Sequence, residues 1–318
     1  MSSPSVGGAS RDGYGAALLR IAENPKVVVL EADLGKSTKS CLFRSKYPER
    51  TFSLGISEQN MMLVAAGLAE AGKIPFASTF AIFTERGFEQ IRNGIARPGF
   101  PVHICGSHGG IHTGTDGSSA QSIEDLAIYR AIPGMAVIHP SDDLSAEELT
   151  VQLQSLEGPS YMRTARNKTR RIYDDVNSKE LRIGKGSTLR SGSDAAIVAC
   201  GVMVERALDA ANSLSGEGVE CTVIDMHTIK PLDEDLLSSL AEICGCIVTA
   251  EDHSIIGGLG GSVAEWSALN CPVPVEMVGV MDRFGESGST EDLMREMGLN
   301  PENIVDSVKK CISRKNEL

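Results

Sequence analysis

Short runs of apolar and β-branched residues alternate with longer helical patterns along almost the whole chain. In the first half, strands are predicted at residues 27–30, 76–79, 102–105, 135–139 and 160–163. Helices are predicted near residues 57–71, 84–96 and 144–156. Strands that are separated by helices of this length are typical of βαβ units, so the pattern predicts a parallel sheet with helices on its faces.

The same alternation occurs in the second half of the chain. Strands are predicted at residues 195–200, 220–224, 246–250 and 273–278, and helices near 203–214, 234–243, 258–268 and 301–313. Residues 167–194 are rich in Lys, Arg, Ser and Gly and have little apolar periodicity, which is typical of a domain boundary. We therefore predict an α/β protein of two domains, residues 10–180 and 190–318, each a mostly parallel sheet flanked by helices. Residues 1–9 are a candidate for a disordered terminus.

The composition argues against several classes of protein. The 318 residues are 42% hydrophobic and 23% charged, with a net charge of −12. A nucleic-acid or anionic membrane partner would require a basic face, so we expect neither. The absence of a long apolar run and of an N-terminal leader pattern predicts a cytoplasmic protein. The eight cysteines form no CxxC pair, which favours reduced, buried thiols over disulfides or a metal site.

The segment 55–60, with the sequence GISEQN, opens a predicted helix directly after the strand-like residues 51–54. Ser57 can cap this helix, and Glu58 then lies in its first turn, where the helix dipole favours an acid. Considered by itself, Glu58 is more simply explained as a helix-start acid than as a catalytic residue.

An aromatic cluster follows the second predicted strand. Only 4% of the residues are aromatic, yet Phe80, Phe83 and Phe88 fall within nine positions. Phe80 and Phe83, three residues apart, can clasp a flat heteroaromatic ring. The alternative is ordinary core packing at the start of a helix.

Two polar segments follow later strands of the first half. The glycine-rich residues 107–122 join a strand to a helix, and parallel sheets bind ligands at the carboxyl ends of their strands. His112 in this loop either contacts a ligand or is a solvated loop histidine. Arg163 and Arg166 end the last strand of this half, where guanidinium groups either bind phosphate or form an interdomain salt bridge.

Together, and in this order, these segments resemble the pyrimidine-binding domain of transketolase. The second half resembles the transketolase C-terminal domain in four motifs, at residues 228–233, 251–253, 257–260 and 284–288. The resemblance covers about residues 10–315. It implies a thiamine diphosphate enzyme that moves a two-carbon ketol unit from a ketose phosphate to an aldose phosphate.

The resemblance also assigns residues to the cofactor. In this family a glutamate hydrogen-bonds N1′ of the aminopyrimidine and favours the tautomer that removes the thiazolium C2 proton, and Glu58 matches it as a catalytic residue. A carboxyl group in an apolar pocket can share that proton because burial raises its pKa. Phe80 and Phe83 match aromatic residues that pack on the aminopyrimidine, Arg86 falls near a third such position, and Asp33 matches a segment that lines the channel.

Further residues match the family's substrate site. Arg11, Ser37, His108 and Arg166 match the sugar-phosphate grip, His108 is also a candidate catalytic residue, and Asp116 matches an aspartate that contacts sugar hydroxyls.

The sequence departs from the family pattern in two places. Ala120 stands where many transketolases have histidine and animal ones glutamine, so a donor near the reacting oxygen is missing or is supplied by a neighbour such as Gln121. The chain also lacks the Asp-Gly-Asp start and the later asparagine that hold Mg²⁺ and the diphosphate. The resemblance therefore implies a partner, an N-terminal transketolase subunit with the Mg²⁺ and diphosphate site, in an α2β2 heterotetramer.

Three alternatives remain at the level of sequence. The β subunit of a 2-oxoacid dehydrogenase E1 has the same two domains but does not require a sugar-phosphate grip. A deoxyxylulose-phosphate-synthase-like enzyme usually carries both halves in one chain. A non-catalytic regulatory subunit would have lost turnover, which the presence of Glu58 and the aromatic pair argues against.

Overall fold

The computed structural model describes residues 7–317, which form twelve strands and thirteen α-helices. The strands β1 to β12 are, in chain order, Val27–Glu31, Thr51–Ser53, Ile74–Phe80, His103–Ser107, Ala136–Ile138, Ser160–Thr164, Ser187–Arg190, Ala195–Ala199, Cys221–Asp225, Thr228–Lys230, Ile247–Ser254 and Val275–Val280. The helices α1 to α13 are Ser10–Arg20, Gly35–Thr38, Cys41–Lys46, Glu58–Glu70, Ala81–Thr84, Phe88–Gln90, Asp125–Arg130, Asp143–Leu153, Met203–Gly216, Glu234–Cys244, Leu259–Asn270, Thr290–Glu296 and Pro301–Asn316.

The first sheet has seven strands in the order β10-β5-β6-β4-β3-β1-β2. Six of them come from the first half of the chain and pair in parallel. The seventh, β10, comes from the second half and pairs antiparallel with β5, with Thr228 opposite Ile138. A strand from the second half therefore completes the sheet of the first half, which the sequence pattern did not predict.

The second sheet has five strands in the order β12-β11-β8-β9-β7. Four are parallel, and β7 at the edge is antiparallel to β9. Strand β7 lies within residues 167–194, the stretch in which we expected the domain boundary. Tyr173 and Leu181 of the same stretch are buried in the hydrophobic core around β1 and α8, so this connection is packed along much of its length.

Helix α1 was not predicted either, because its two glycines and three charged residues obscure its apolar positions. It buries Tyr14 and Leu18 and packs on α8. The contact is close because a Cβ atom on Gly13 would lie only 1.9 Å from the carbonyl oxygen of Asp143.

The expected disorder of residues 1–9 is not observed at residues 7–9, and residues 1–6 lie outside the described part of the chain. The Gly7 amide donates a hydrogen bond to the Thr169 carbonyl at 3.1 Å, and Ala9 is buried.

The helix predicted at residues 84–96 is irregular. It consists of α5, a 3-10 turn at Glu85–Gly87, α6 and a π-helical segment at Ile91–Ala96. A Cβ atom on Gly87 would lie 3.1 Å from Met62 of α4, so the glycine lets these two elements approach closely.

A buried arginine, held by an ion pair within the first half, joins the two halves through a backbone contact. Arg163 at the end of β6 is fully buried and pairs with Asp125 of α7. Its guanidinium also donates to the carbonyl oxygen of Asp252 in β11 at 2.5 Å. Arg163 therefore acts as a fixed link between the two domains.

Six of the eight cysteines are buried, and all eight are free thiols, as the sequence pattern indicated. Across residues 7–317, no helix is long and apolar enough to cross a membrane.

Candidate functional site

Three neighbouring parallel strands end at the same edge of the first sheet. Phe80 at the end of β3 lies opposite Ser107 of β4, and Ser107 lies opposite Thr164 of β6. The next residues along the chain therefore emerge side by side, as expected at the carboxyl edge of a parallel sheet. This register brings the aromatic cluster, His108 and Arg166 together.

The aromatic side chains form a stack at this edge. The ring of Phe80 lies 3.9 Å from the imidazole of His108 and 5.6 Å from the ring of Phe83, with interplanar angles of 21° and 11°. Both phenylalanines remain partly exposed, so this is a surface that can take a flat ring rather than a closed core.

Glu58 is the first residue of α4, and only 4% of its surface is exposed. It lines an open cleft of about 450 Å³ together with Ile56, Ser57, Gln59 and Arg86. The expected cap is not observed, because the side chain of Ser57 makes no capping hydrogen bond. Glu58 is thus a buried acid that borders an accessible cleft.

Arg86 occupies the position where a third aromatic residue was expected. Its guanidinium carbon lies 4.4 Å from the centre of the Phe83 ring, and its Nη1 lies 3.6 Å from Oε2 of Glu58. Because 54% of the side chain is exposed, it can move without disrupting the core. The face of Phe83 thus already holds one planar group.

His108 is a buried, neutral histidine. Arg11 Nη1 lies 3.3 Å from His108 Nε2, and because a guanidinium only donates, Nε2 is the acceptor. The proton then sits on Nδ1, 2.8 Å from Oγ of Ser107. Burial, together with the charges of Arg11 and Arg166, lowers the pKa of His108 to about 3. The ring therefore carries no charge near neutral pH.

Arg11 faces the same space from α1. Its Nη1 donates to the carbonyl oxygen of Ser37 at 3.0 Å, so Ser37 contributes its backbone here. Its Nε is buried and has no hydrogen-bond partner among residues 7–317. Burial lowers the pKa of Arg11.

Arg166 and Asp116 form the outer side of the site. Arg166 Nε lies 3.6 Å from Oδ2 of Asp116, and its Nη1 donates to the carbonyl oxygen of Thr113 at 3.3 Å. Both side chains are partly exposed. Of the two guanidiniums that the sequence left undecided, Arg163 makes the interdomain contact and Arg166 faces the open edge.

Asp33 follows β1, the strand next to β3, and therefore lies at the same edge. It is exposed and has a left-handed backbone, with φ of 59°. Within the described range its side chain makes no hydrogen bond or ion pair, so nothing in the structure ties it to the aromatic stack.

Gln121 is not free to supply the hydrogen-bond donor that is missing at Ala120. Its Nε2 donates to the carbonyl oxygens of Gly114 and Glu286, at 3.1 and 2.9 Å. His112 neither reaches the aromatic stack to contact a ligand there nor lies in solvent. It is buried against the second domain beside Asp252.

Sequence reasoning missed Glu85. Ser122 donates to its carboxylate at 2.6 Å, and burial, with the nearby charges of Glu124 and Asp125, raises the pKa of Glu85 to about 8. A lone glutamate on a helical segment carries no sequence signal, because its protonation depends on what the fold places around it.

The residues described contain no group of three or more His, Cys, Asp or Glu side chains that could hold a metal ion.

The chain is similar to known proteins over most of its length. Residues 8–171 match the family model "Transketolase, pyrimidine binding domain", and residues 184–304 match "Transketolase, C-terminal domain". The chain is 42% identical to the putative transketolase C-terminal section of Methanocaldococcus jannaschii, over 93% of both sequences. It is 41% identical to the 6-deoxy-6-sulfo-D-fructose transketolase subunit SqwH of a Clostridium species, over 96% of this chain and 95% of that one.

Among solved structures, one titled "Split gene transketolase, inactive beta4 tetramer" superposes with a TM-score of 0.90 at 45% identity, over 97% of this chain and 100% of that one. The predicted α/β fold and the resemblance on which it partly depended are thereby confirmed. The chain belongs to the transketolase family and corresponds to the C-terminal half of a split transketolase, with its pyrimidine-binding and C-terminal domains.

Proposed function

We propose that this chain is the C-terminal subunit of a thiamine diphosphate-dependent transketolase. In this role it transfers a two-carbon ketol unit from a ketose phosphate to an aldose phosphate. The observation that carries the proposal is the buried carboxyl group of Glu58 on an open cleft, beside a stack of flat side chains.

The residues at this cleft fit an aminopyrimidine. Glu58 supplies a carboxyl oxygen for a ring nitrogen, and Phe80 and Phe83 supply partly exposed, nearly parallel rings. When the aminopyrimidine takes the place of the Arg86 guanidinium on the face of Phe83, Arg86 either moves away or stacks on the aminopyrimidine. When bound, thiamine diphosphate supplies the carbon nucleophile and the electron sink of the reaction.

The substrate phosphate is bound at the other end of the stack. Arg11 and Arg166 face this region, and the buried Nε of Arg11 is a donor without a partner among the residues described. His108 is neutral, so it acts on a sugar oxygen through a hydrogen bond rather than as a charged acid. Asp116 accepts from sugar hydroxyl groups once it releases Arg166.

A second subunit completes the site. Mg²⁺ requires several oxygen ligands in near-octahedral geometry, and residues 7–317 contain no acidic cluster suited to it. We infer an N-terminal transketolase subunit that binds Mg²⁺ and the diphosphate, in an α2β2 assembly with each cofactor between unlike subunits.

Reconstitution tests both statements. The chain is co-expressed with the N-terminal transketolase half of the same organism, and the complex is isolated by size-exclusion chromatography. Ketol transfer that requires thiamine diphosphate, Mg²⁺ and both chains supports the proposal. A complex that is inactive towards every ketose, whether phosphorylated or sulfonated, would indicate a regulatory subunit, and failure to form any complex would refute the shared site.

A sulfonated ketose is a second candidate donor. The relative from Clostridium is named for a sulfosugar, and guanidiniums can also donate hydrogen bonds to the oxygens of a sulfonate. Ala120 also removes the donor found in many transketolases. Kinetic comparison of a 6-phosphorylated and a 6-sulfonated ketose on the same complex decides between the two donors.

A further inference from the structure

The loop at residues 107–122, which carries His108 and Asp116, is held at its midpoint by an acid of the second domain. Asp252 in β11 accepts the Ile111 amide on Oδ1 at 2.8 Å and the His112 amide on Oδ2 at 3.0 Å. Only 1% of Asp252 is exposed. Both carboxylate oxygens thus bind one turn of a loop that is 140 residues away in sequence.

The backbone at Gly110 lies very close to the carboxylate of Asp252. Gly110 has a φ of 79°, and a Cβ atom at this position would lie 2.1 Å from Oδ2 of Asp252. Any other residue would push the loop off the carboxylate. The site therefore requires a glycine on one side and an acid on the other.

Asp252 is itself fixed from the first domain. Its carbonyl oxygen accepts from Arg163, and the guanidinium of Arg163 pairs with Asp125 and also donates to the Ser122 carbonyl at 2.9 Å. The loop end at Ser122 and the loop midpoint at Ile111 thus share one anchor.

The pair of hydrogen bonds between Asp252 and the loop amides, here called the tether, lies next to the residues proposed to bind the sugar phosphate. The turn that Asp252 holds continues through Thr113, whose carbonyl oxygen accepts from Arg166, to Asp116, which pairs with the same guanidinium. Asn167, the neighbour of Arg166, donates to the His112 carbonyl at 2.7 Å. A shift of this turn would therefore move the partners of Arg166.

We propose that Asp252 is a positioning residue that holds the loop in the conformation in which His108, Asp116 and Arg166 converge on the substrate. Its carboxylate does not contact substrate, because only 1% of Asp252 is exposed and its carboxylate oxygens face the loop amides. This proposal rests on the proposed function for its kinetic consequence, but the tether itself can be tested without activity.

The first experiment is hydrogen exchange on the intact chain, comparing Asp252→Asn with Asp225→Asn. Asparagine keeps the shape but turns an amide donor towards a backbone donor. Asp225 is a matched control, since it is also a buried acid of the second domain but bonds Ser141 and Tyr173 instead of the loop. We expect exchange in the peptide 107–122 to become about tenfold faster or more in Asp252→Asn and to stay unchanged in Asp225→Asn.

Equal exchange in the wild type and Asp252→Asn, or equal loosening by both variants, would overturn the proposal. If Asp252→Asn does not fold, the wild-type chain still decides. Its Ile111 and His112 amides must exchange far more slowly than unstructured amides, and Gly110→Ala, which keeps the acid, must loosen the same peptide.

The second experiment uses the reconstituted complex. Asp252→Asn should raise KM for an aldose phosphate about tenfold and leave the Kd for thiamine diphosphate within about twofold, because Asp252 makes no hydrogen bond to a residue that lines the cleft at Glu58. Equal weakening of both would indicate a merely structural role. An inactive wild-type complex would refute the proposed function and leave the exchange result to decide the tether.

Discussion

The two ends of the candidate site are assembled differently. On the cofactor side, Glu58, Phe83 and Arg86 all fall within about 30 residues of one domain, and Gln59 donates to the Arg86 carbonyl across only 27 positions. On the sugar side, Arg11 meets His108 across 97 positions, and the loop that carries His108 is tied to the second domain across 140.

The two ends of the candidate site should therefore respond differently to substitutions. The cofactor side depends on one helix start and one irregular helical segment, so substitutions there should act on chemistry or cofactor affinity and leave the fold intact. The sugar side depends on contacts between the domains, so its geometry should respond to changes that never touch substrate.

The largest effect is expected at Glu58. Glu58→Gln should lower kcat of the reconstituted complex about 10³-fold, because positioned proton transfer contributes about 10² to 10⁴ in rate. The melting temperature should hardly change, since its ion-pair partner Arg86 is largely exposed. Glu70→Gln, at the exposed far end of α4, is the control and should behave as the wild type. Full activity in Glu58→Gln would break the assignment of the cofactor side.

The next effect is expected at Arg166. Arg166→Ala should raise KM for phosphorylated sugars about 10- to 100-fold, since a hydrogen bond to a charged group contributes about 1.5–3 kcal/mol. KM for the same sugars without phosphate should change little. Arg170→Ala, whose guanidinium pairs with Asp209 instead, serves as the control. Equal losses on both kinds of sugar would remove the phosphate role from Arg166.

A smaller effect is expected at Phe83. Phe83→Ala should raise the Kd for thiamine diphosphate about tenfold. Aromatic stacking contributes about 0.5–1.5 kcal/mol of binding free energy beyond the contribution of the surface that the ring buries. Isothermal titration of the complex measures this. Phe284→Ala removes a ring that is 81% exposed and should leave the Kd unchanged. If both variants bind equally well, the stack is not the pyrimidine surface.

The last prediction concerns stability rather than activity, at the domain interface. Burial raises the pKa of Asp225 from 3.8 to about 7, so between about pH 4 and pH 7 the folded chain binds more protons than the unfolded chain. The free energy of unfolding should therefore fall as the pH rises through this range, by up to about 1.4 kcal/mol per unit, and level off above pH 7.

Asp225→Asn should lose this part of the pH dependence, because an amide does not ionise and its oxygen can still accept from Ser141 and Tyr173. Urea unfolding at pH 5, 6, 7 and 8 measures the difference between the two proteins. Parallel curves would show that Asp225 is ionised in the folded chain.

Much of the cofactor side could be predicted from the sequence. The segment at residues 55–60 and the pair Phe80 and Phe83 lie in short stretches whose order along the chain matches a family pattern. The sugar side was predicted only as a set of residues. Arg163 is buried by its contacts with Asp125 and Asp252, which leaves Arg166 at the open edge of the sheet. No local sequence pattern connects these four residues.

The chain's own periodicity and motif order determined that it is an α/β protein of two domains, because a strand or a helix reports its burial through residues that are neighbours in sequence. Only the tertiary structure decided that β10 completes the other domain's sheet, that burial keeps His108 neutral and that Asp252 binds the loop at residues 107–122. Protonation and loop geometry depend on groups that are close in space but distant along the chain, and a single sequence does not record those distances.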